Sequence, residues 1–446
     1  MSECAARLID AGMAPDEAVA KQTLFERACE ALGASRHDDP PAWAVFVPGR
    51  IEVLGKHTDY AGGRSLLCAA ERGICLVAQP RSDGVVRVHD IRSAATVSVR
   101  VFNPAEPGSR SPAPSHTTAG SDVGVAVSGF GRVAQPSWRV YLSTVAGRLA
   151  RNFPEARQGA DIAFGSDLPM AAGLSSSSAL VTALLLAMAA TNDLRSTGVW
   201  RANVTGREDL AEYLGTVENG QDFRALEGDA GVGTFGGSED HTAMLCCRAG
   251  ELSQYSFCPV RHERQIPIPA GYVFVVGVSG VVAEKTGSAR DAYNRASAAA
   301  REVLALWNRA AGRHDATLRA AVESSAEAPG RIRALLPDAA LRGRFDQFVE
   351  ETFVIIPRVG DLLVAGRVEE IGDPVDRSQA GAERGLGNQV PETVFLAHTA
   401  RDLGAAAASA FGAFAGEIYG VFEQIAEAVE DRRIARASRL GAAVAG

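Results

Sequence analysis

Lysine is scarce in this chain of 446 residues, which has it only at Lys21, Lys56 and Lys285. Arginine carries nearly all of the positive charge, no run of Lys and Arg exceeds two residues, and the formal net charge is −8. Nucleic acids and anionic membranes are bound by clustered positive charge, so we expect neither as a partner. Because lysine is so rare here, its three positions are worth inspecting individually.

Cys-x-x-Cys pairs and long apolar runs are also absent. The seven cysteines favour neither a structural zinc site nor a disulfide framework, and we predict buried free thiols. The longest apolar stretch, residues 179–190, is shorter than the roughly 20 residues that span a bilayer, and the N-terminal residues lack a signal-peptide pattern. These features predict a cytoplasmic protein without a membrane partner, either a monomer or a weak homo-oligomer.

What is present is typical of a globular protein, with 46% hydrophobic and 22% charged residues. The length predicts two or three domains. A helix is predicted over residues 15–33, a long loop over 103–136 and a buried helix over 175–188, and the pattern restarts with a strong strand at 272–278. A final helix, strand and helix are predicted over 393–434. The pattern therefore predicts a β-rich domain over 1–262 and an α+β domain over 263–446.

The first motif that carries chemistry is the polar loop at residues 48–63. It places Arg50, Lys56, His57, Asp59 and Tyr60 within 11 residues, among glycines. A polar loop directly after a strand is where binding groups usually lie. The alternative is a polar hairpin whose side chains satisfy backbone groups, and the loop alone does not decide between them.

The second motif is a loop of small residues at 167–179 that runs into a helix. Its four consecutive serines begin at Ser175, and hydroxyls with free N–H groups at a helix start suit a phosphate. It is not a Walker A loop, because Gly-Lys-Ser/Thr is missing. Simple helix capping by Ser175 would need only one serine, so we favour the anion site.

The third motif spans residues 231–241. It begins with Gly-x-Gly-x-x-Gly, the dinucleotide fingerprint, but residues 224–230 contain no apolar strand and an acidic segment follows. We therefore reject a dehydrogenase. Glycines beside Asp240 instead suggest a carboxylate that a ligand approaches closely. A phosphate loop, Arg50 and Asp240 together are the parts that phosphoryl transfer requires.

These motifs resemble the GHMP small-molecule kinase superfamily, most closely its galactokinase branch. The galactokinase signature Gly-Arg-x-Asn-Leu-Ile-Gly-Glu-His-Thr-Asp-Tyr-x-Gly-Gly aligns with residues 49–63, and Leu-Pro-x-x-x-Gly-Leu-Ser-Ser-Ser aligns with residues 168–177. The resemblance implies a two-domain α+β fold. Its N-terminal β-α-β domain would resemble domain 2 of ribosomal protein S5, and its C-terminal domain would be ferredoxin-like.

The resemblance also implies roles for individual residues, with ATP and Mg²⁺ as cofactors. Asp240 would accept the hydroxyl proton, and Arg50 would stabilise the base and the developing phosphoryl charge. Mg²⁺ would be held by Ser177 and Glu218, with Glu227 a less suitable ligand. The residues that would bind the phosphates of ATP are Gly173, Leu174, Ser175, Ser176 and Ser177.

For the sugar, the resemblance implies contacts from His57, Asp59, Gly237 and Tyr293. Lys56 departs from the pattern, because the family has a glutamate there that accepts hydrogen bonds from sugar hydroxyls, whereas an ammonium only donates. Either Lys56 binds the carboxylate of a substrate such as a uronic acid, or it pairs with a carboxylate of the protein such as Glu52 or Asp59. The two interpretations carry equal weight at this point.

Two further departures concern the later motifs. Residues 238, 239 and 241 are Ser, Glu and His where the family has Ile, Met and Gln, and the glycine-rich third motif is degenerate at 411–416. The favoured function is a kinase that converts a galactose-like sugar to its 1-phosphate. The alternatives are a kinase for a uronic acid or another sugar selected by Lys56, and a catalytically silent sugar and ATP sensor.

Overall fold

The computed structural model describes six ranges: residues 3–33, 43–101, 138–168, 173–281, 288–411 and 417–423. The predicted loop at 103–136 and most of the degenerate motif at 411–416 lie outside them. The spatial contacts group the chain into two interleaved units. The first comprises residues 1–49, 70–168 and 176–233, and the second comprises 50–69, 169–175 and 234–446. The domain boundary at residue 262 stays a prediction.

The first unit begins with helices α1 (Glu3–Asp10) and α2 (Pro15–Leu32). Helix α2 confirms the predicted N-terminal helix. Pro15 occupies its first turn, where the missing N–H costs nothing, and Gly33 ends it at φ 72°, in the left-handed region that glycine adopts easily. Phe25 of α2 packs in an apolar cluster with Val77 and Ala163 of the neighbouring strands.

Strands β1 (Trp43–Leu54) and β2 (Arg64–Arg81) pair with each other, and each supplies residues to both units. In the first unit, β3 (Val85–Asp90) pairs antiparallel with β4 (Thr96–Arg100) and parallel with β5 (Gly159–Ser166). Strand β5 also pairs antiparallel with the second half of β2. Helix α2 packs against β5, so the N-terminal helix covers this sheet.

Four more helices complete the described part of the first unit: α3 (Arg139–Asn152), α4 (Ser176–Thr191), α5 (Gly198–Asn203) and α6 (Arg207–Asn219). Helix α4 is apolar on nearly all sides and packs against α3 and α6, which explains why its sequence shows no polar face. This confirms the predicted buried helix. Its first turn contains the serines of the second motif.

In the second unit, β6 (Glu251–Ser256) pairs antiparallel with the first half of β2 and with β7 (Arg261–Pro267). A separate antiparallel sheet has the order β8 (Tyr272–Val278), β10 (Glu417–Glu423), β9 (Ala407–Phe411). Strand β8 spans the predicted 272–278.

The predicted order of helix, strand and helix over 393–434 is wrong at residues 417–423, which form a strand. Strand β10 pairs with both β8 and β9, and it buries Tyr419 completely. A helix there would leave the edges of both neighbouring strands without backbone partners. Pairing with a strand more than 130 residues earlier in the chain therefore overrides the local pattern.

The described helices of the second unit are α7 (Glu239–Cys246), α8 (Ser288–Ala311), α9 (Leu318–Val322), α10 (Ala328–Leu335), α11 (Ala339–Glu350), α12 (Ile356–Val364), α13 (Gly372–Gly381) and α14 (Pro391–Asp402). Helices α8, α9, α10 and α11 pack in one apolar cluster that contains Trp307, Phe345 and Phe348. Both units thus combine helices with sheets, which confirms the α+β class.

All seven cysteines are free, as predicted, but their burial differs. Cys68, Cys75 and Cys246 are buried, whereas Cys258 is exposed, so the expectation of buried thiols is wrong at that position. In the described ranges, no helix combines the length and the apolar character needed to cross a membrane.

Lys21 is completely buried in the first unit, and its Nζ lies 2.6 Å from Glu17 Oε2 and 2.5 Å from Asp167 Oδ2. We expect Lys21→Met to lower the free energy of unfolding by about 2 to 3 kcal/mol, because it leaves two carboxylates without their cation. Denaturant unfolding measures this change.

The matched control is Arg7→Gln, which removes an exposed pair of the same spacing with Glu3. Exposed pairs of this kind contribute below about 0.5 kcal/mol. Equal losses in the two variants would contradict a stabilising role for the buried pair.

Candidate active site

The central contact of the second unit joins Arg50, near the end of β1, to Asp240, in the first turn of α7. Arg50 Nε lies 2.6 Å from Asp240 Oδ1, and Arg50 Nη1 donates to the carbonyl oxygen of Gly173 at 2.6 Å. The guanidinium is buried, so this charge-assisted hydrogen bond is shielded from water. The contact brings the three sequence motifs together through one side chain.

Ser175 holds the second oxygen of the same carboxylate. Its Oγ donates to Asp240 Oδ2 at 2.6 Å. The backbone bends sharply here, with Gly173 at φ 80° and Ser175 at φ 55°. Because each carboxylate oxygen has its own donor, Asp240 is fixed in one orientation, as a general base requires.

The predicted sugar residues also lie together in the second unit. The rings of His57 and Tyr293 are 4.8 Å apart between centroids. Asp59 accepts hydrogen bonds from the backbone N–H of Tyr60 at 2.8 Å and of Glu239 at 3.1 Å. The Asp59 carboxylate is therefore tied to the backbone at the start of α7.

Gly237 is required by the approach of Asp59. A Cβ atom on Gly237 would lie 2.4 Å from Asp59 Oδ2, closer than any real contact. The sequence pattern predicts that the glycines beside Asp240 allow close approach of a ligand. The structure shows that, at Gly237, a neighbouring carboxylate already makes the close approach.

Burial sets the charge of the groups around this loop. Burial, helped by the positive charge of Arg344, lowers the pKa of His57 to about 3, so His57 is neutral at physiological pH. Burial raises the pKa of Asp59, and its backbone hydrogen bonds oppose that shift. The predicted sugar residues thus include a neutral imidazole, with His57 Nδ1 3.1 Å from Tyr60 Oη.

Lys56 contacts serines rather than carboxylates. Its Nζ donates to Ser378 Oγ at 3.0 Å and to Ser409 Oγ at 2.7 Å, and the side chain is buried. Within the ranges that the structure describes, Lys56 forms no ion pair with Glu52 or Asp59, so that half of the prediction is wrong. The ammonium is instead solvated by hydroxyls on α13 and β9.

The serines link Lys56 to a buried carboxylate. Ser378 Oγ donates to Glu351 Oε1 at 2.9 Å, and the backbone N–H of Gly55 donates to the same oxygen at 2.9 Å. Glu351 thus balances Lys56 through one intervening hydroxyl. No local pattern could have indicated this link, because Glu351 is almost 300 residues from Lys56.

Two more carboxyl groups lie near Arg50, and the sequence motifs predict no catalytic or binding role for either. Glu52 and Glu239 are 8% and 6% exposed, and Oε1 of each is buried without a hydrogen-bond partner among the described residues. Burial raises the pKa of Glu52 to about 7 even though Arg50 and Lys56 pull it down. Burial and the nearby Glu52 raise the pKa of Glu239 well above its usual range.

In the first unit, the predicted metal ligand Glu218 ends helix α6, and its Oε2 accepts a hydrogen bond from Ser178 Oγ at 2.8 Å. Ser178 directly follows the predicted ligand Ser177, and both are buried in the first turn of α4. Hydroxyl and carboxylate oxygens suit Mg²⁺, which takes few protein ligands when phosphates supply the rest. Glu227, by contrast, is 79% exposed in its side chain.

Helix α3 anchors the long loop between Glu218 and the third motif. Arg148 Nη2 donates to the carbonyl oxygen of Gln221 at 2.7 Å, and Asn152 Nδ2 donates to that of Glu227 at 3.0 Å. Between residues 219 and 233 the backbone forms turns and a single two-residue bridge. No strand leads into Gly231, so the structure supports rejecting the dinucleotide fingerprint.

Comparisons with known proteins agree with this arrangement. Residues 34–80 match the galactokinase galactose-binding signature, and residues 140–227 match the N-terminal domain of GHMP kinases. A galactokinase of Streptomyces coelicolor is 34% identical over 257 residues, or 56% of this chain and 51% of that protein. A galactokinase of Actinobacillus pleuropneumoniae serotype 5b is 27% identical over 242 residues, covering 54% and 50% respectively.

The matches span about half the length of these two relatives. The fold agreement is broader. The crystal structure of Lactococcus lactis galactokinase complexed with galactose superposes with a TM-score of 0.70 at 20% identity, covering 95% of this chain and 93% of that one. Residues 34–80 and 140–227 thus carry the galactokinase signature and the N-terminal domain of GHMP kinases, and nearly the whole chain is similar in fold to a galactokinase.

Proposed function

We propose that this protein is an ATP-dependent sugar kinase that phosphorylates the anomeric hydroxyl of a galactose-like sugar. The observation that carries the proposal is the contact of Arg50 and Ser175 with the two oxygens of Asp240. A base oriented by a buried cation is what removal of a hydroxyl proton requires. The curated relatives named above support a sugar as the acceptor.

In the proposed reaction, the sugar hydroxyl attacks the γ-phosphorus, the bond from that phosphorus to the bridging oxygen breaks, and Asp240 takes the hydroxyl proton. ADP leaves with the bridging oxygen. Arg50, held beside Asp240, stabilises the carboxylate before the transfer and the phosphoryl charge during it. Ser175 keeps the carboxylate from rotating.

Residues 173–177 would bind the phosphates of ATP through backbone N–H groups and hydroxyls, where α4 offers the positive end of its dipole. Ser177 and Glu218 would hold Mg²⁺, with Ser178 keeping the Glu218 carboxylate in place. When bound, Mg²⁺ neutralises charge on the transferring phosphoryl group.

For the sugar, His57, Asp59, Gly237 and Tyr293 would form the binding surface. The neutral His57 and the backbone-bound Asp59 can form hydrogen bonds with sugar hydroxyls. None of these four residues carries a positive charge that would bind a substrate carboxylate. Because Lys56 Nζ already donates to two serines, the structure favours a neutral sugar over a uronic acid.

A silent sugar and ATP sensor is the second candidate. Such a sensor has no need to keep a base with both oxygens oriented, so the geometry at Asp240 favours the enzyme. The cytoplasmic location and the monomeric or weakly oligomeric state stay predictions.

The base is tested by Asp240→Asn. The amide keeps the shape of the side chain but cannot accept the hydroxyl proton, so we expect ADP release to fall by at least about 100-fold while ATP still binds. A coupled ADP assay and nucleotide titration measure the two effects.

Glu227→Gln is the control for Asp240→Asn, and we expect it to keep normal turnover because Glu227 is exposed. Wild-type activity in Asp240→Asn would show that another group is the base.

The substrate is tested by ADP release from Mg·ATP with galactose, arabinose, galacturonate and glucuronate. We expect turnover with a neutral sugar and little with either uronate. Turnover with a uronate would assign Lys56 to the substrate after all. If no sugar causes ADP release although ATP still binds, the result would favour the sensor.

The position of Lys56 is tested by Lys56→Met. We expect the free energy of unfolding to fall by about 2 to 3 kcal/mol, because Glu351 loses its buried counter-charge. The ranking of the four sugars should stay the same. A change of more than about tenfold in the ratio of two sugars' kcat/KM values, roughly 1.4 kcal/mol, would show that Lys56 contacts the substrate.

A further inference from the structure

Glu52 and Glu239 are acidic at two positions where the galactokinase pattern has an uncharged residue. Glu52 replaces the asparagine of the first motif, and Glu239 replaces the methionine beside the catalytic aspartate. Both side chains are more than nine-tenths buried in the second unit, so the chain has added two acidic groups to the interior beside Arg50.

The cations beside them are already balanced. Arg50 pairs with Asp240, and Lys56 is balanced by Glu351 through Ser378. Glu239 Oε2 accepts a hydrogen bond from Ser65 Oγ at 2.8 Å, but in the described part of the chain neither added carboxyl group forms an ion pair of its own. Two ionised carboxylates there would carry the cost of burial and repel each other.

The buried oxygens indicate how this cost is avoided. Oε1 of Glu52 and Oε1 of Glu239 are shielded from water and lack a hydrogen-bond partner among the described residues. A protonated carboxyl group donates a hydrogen bond, whereas a carboxylate only accepts. A proton on either group therefore removes one of the two buried charges and turns one carboxyl group into a donor.

We propose that Glu52 and Glu239 hold one proton between them at neutral pH and act as a positioning pair that sets the charge around Arg50 and Asp240. Ionisable groups on several elements face the pair: Arg50, Lys56, Asp59, Tyr293, Asp240, Glu351 and Tyr419. The raised pKa values of Glu52 and Glu239 agree with the proposal, and burial is the main cause for both.

The proton matters for the proposed transfer, and this role in catalysis rests on the proposed function. With one proton on the pair, a single negative charge faces Arg50 in addition to Asp240. Loss of that proton adds a second buried charge, which offsets the positive charge that Arg50 presents to the phosphoryl group. Turnover should therefore fall as the pair loses its proton.

The proton itself is tested by stability, which does not depend on activity. A carboxyl group whose pKa is raised in the folded state binds more protons folded than unfolded, so it makes the protein less stable as pH rises from its unfolded pKa to its folded pKa. For Glu52 this window runs from about pH 4.5 to about pH 7.

The variant is Glu52→Gln, which keeps the shape and removes the titration. We expect the unfolding equilibrium constant of the wild type, divided by that of Glu52→Gln, to rise with pH across the window by up to about tenfold per pH unit. Glu227→Gln, an exposed change, should give a flat ratio. A flat ratio for Glu52→Gln as well would overturn the proposal.

If Glu52→Gln does not fold, the double variant Glu52→Asn with Glu239→Met restores the family's residues and should give the same rising ratio. In active enzyme, Glu52→Gln should also remove the decline of kcat on the alkaline side of neutrality. If Glu52→Gln removes the decline of kcat but the ratio of unfolding constants stays flat, the shared proton is contradicted. If the wild type is inactive but the ratio rises with pH, only the proposed function is contradicted.

Discussion

The ion pair between Arg50 and Asp240 is the contact on which the rest of the second unit depends. It joins the end of strand β1 to the first turn of α7, 190 residues later in the chain, and Arg50 extends it to the loop at Gly173. Around it, Asp59 is tied to the start of α7 through the backbone of Glu239. A single buried cation therefore fixes the relative positions of three segments that local structure leaves independent.

The charged residues around this pair differ from those of the galactokinase pattern at three positions. The glutamate of the galactokinase signature has become Lys56, while acidic residues have appeared at Glu52 and Glu239. Lys56 points its ammonium at serines of α13 and β9, with Glu351 behind them. Charged residues thus differ from the signature at several positions, while the ion pair between Arg50 and Asp240 is present.

Short-range patterns predicted much of this molecule. Helix α2 with its glycine end, the buried helix α4 and strand β8 all follow from local spacing, and the motifs indicated Arg50 and Asp240 as partners. Strand β10 was missed because its identity depends on two distant strands. The sequence did not indicate that Glu52 and Glu239 are buried with an unpaired oxygen each. That property depends on the neighbours of each side chain, which a sequence does not show.

The scarcity of lysine has a consequence for anyone who handles this protein. Lys21 is completely buried and Lys56 is 3% exposed, so neither primary amine is accessible to reagents in solution while the protein is folded. Amine-directed labels and crosslinkers therefore cannot reach Lys21 or Lys56 in the folded protein. Labelling at either of these two lysines would report that the core around it has opened, which makes ordinary acylation a direct probe of local unfolding.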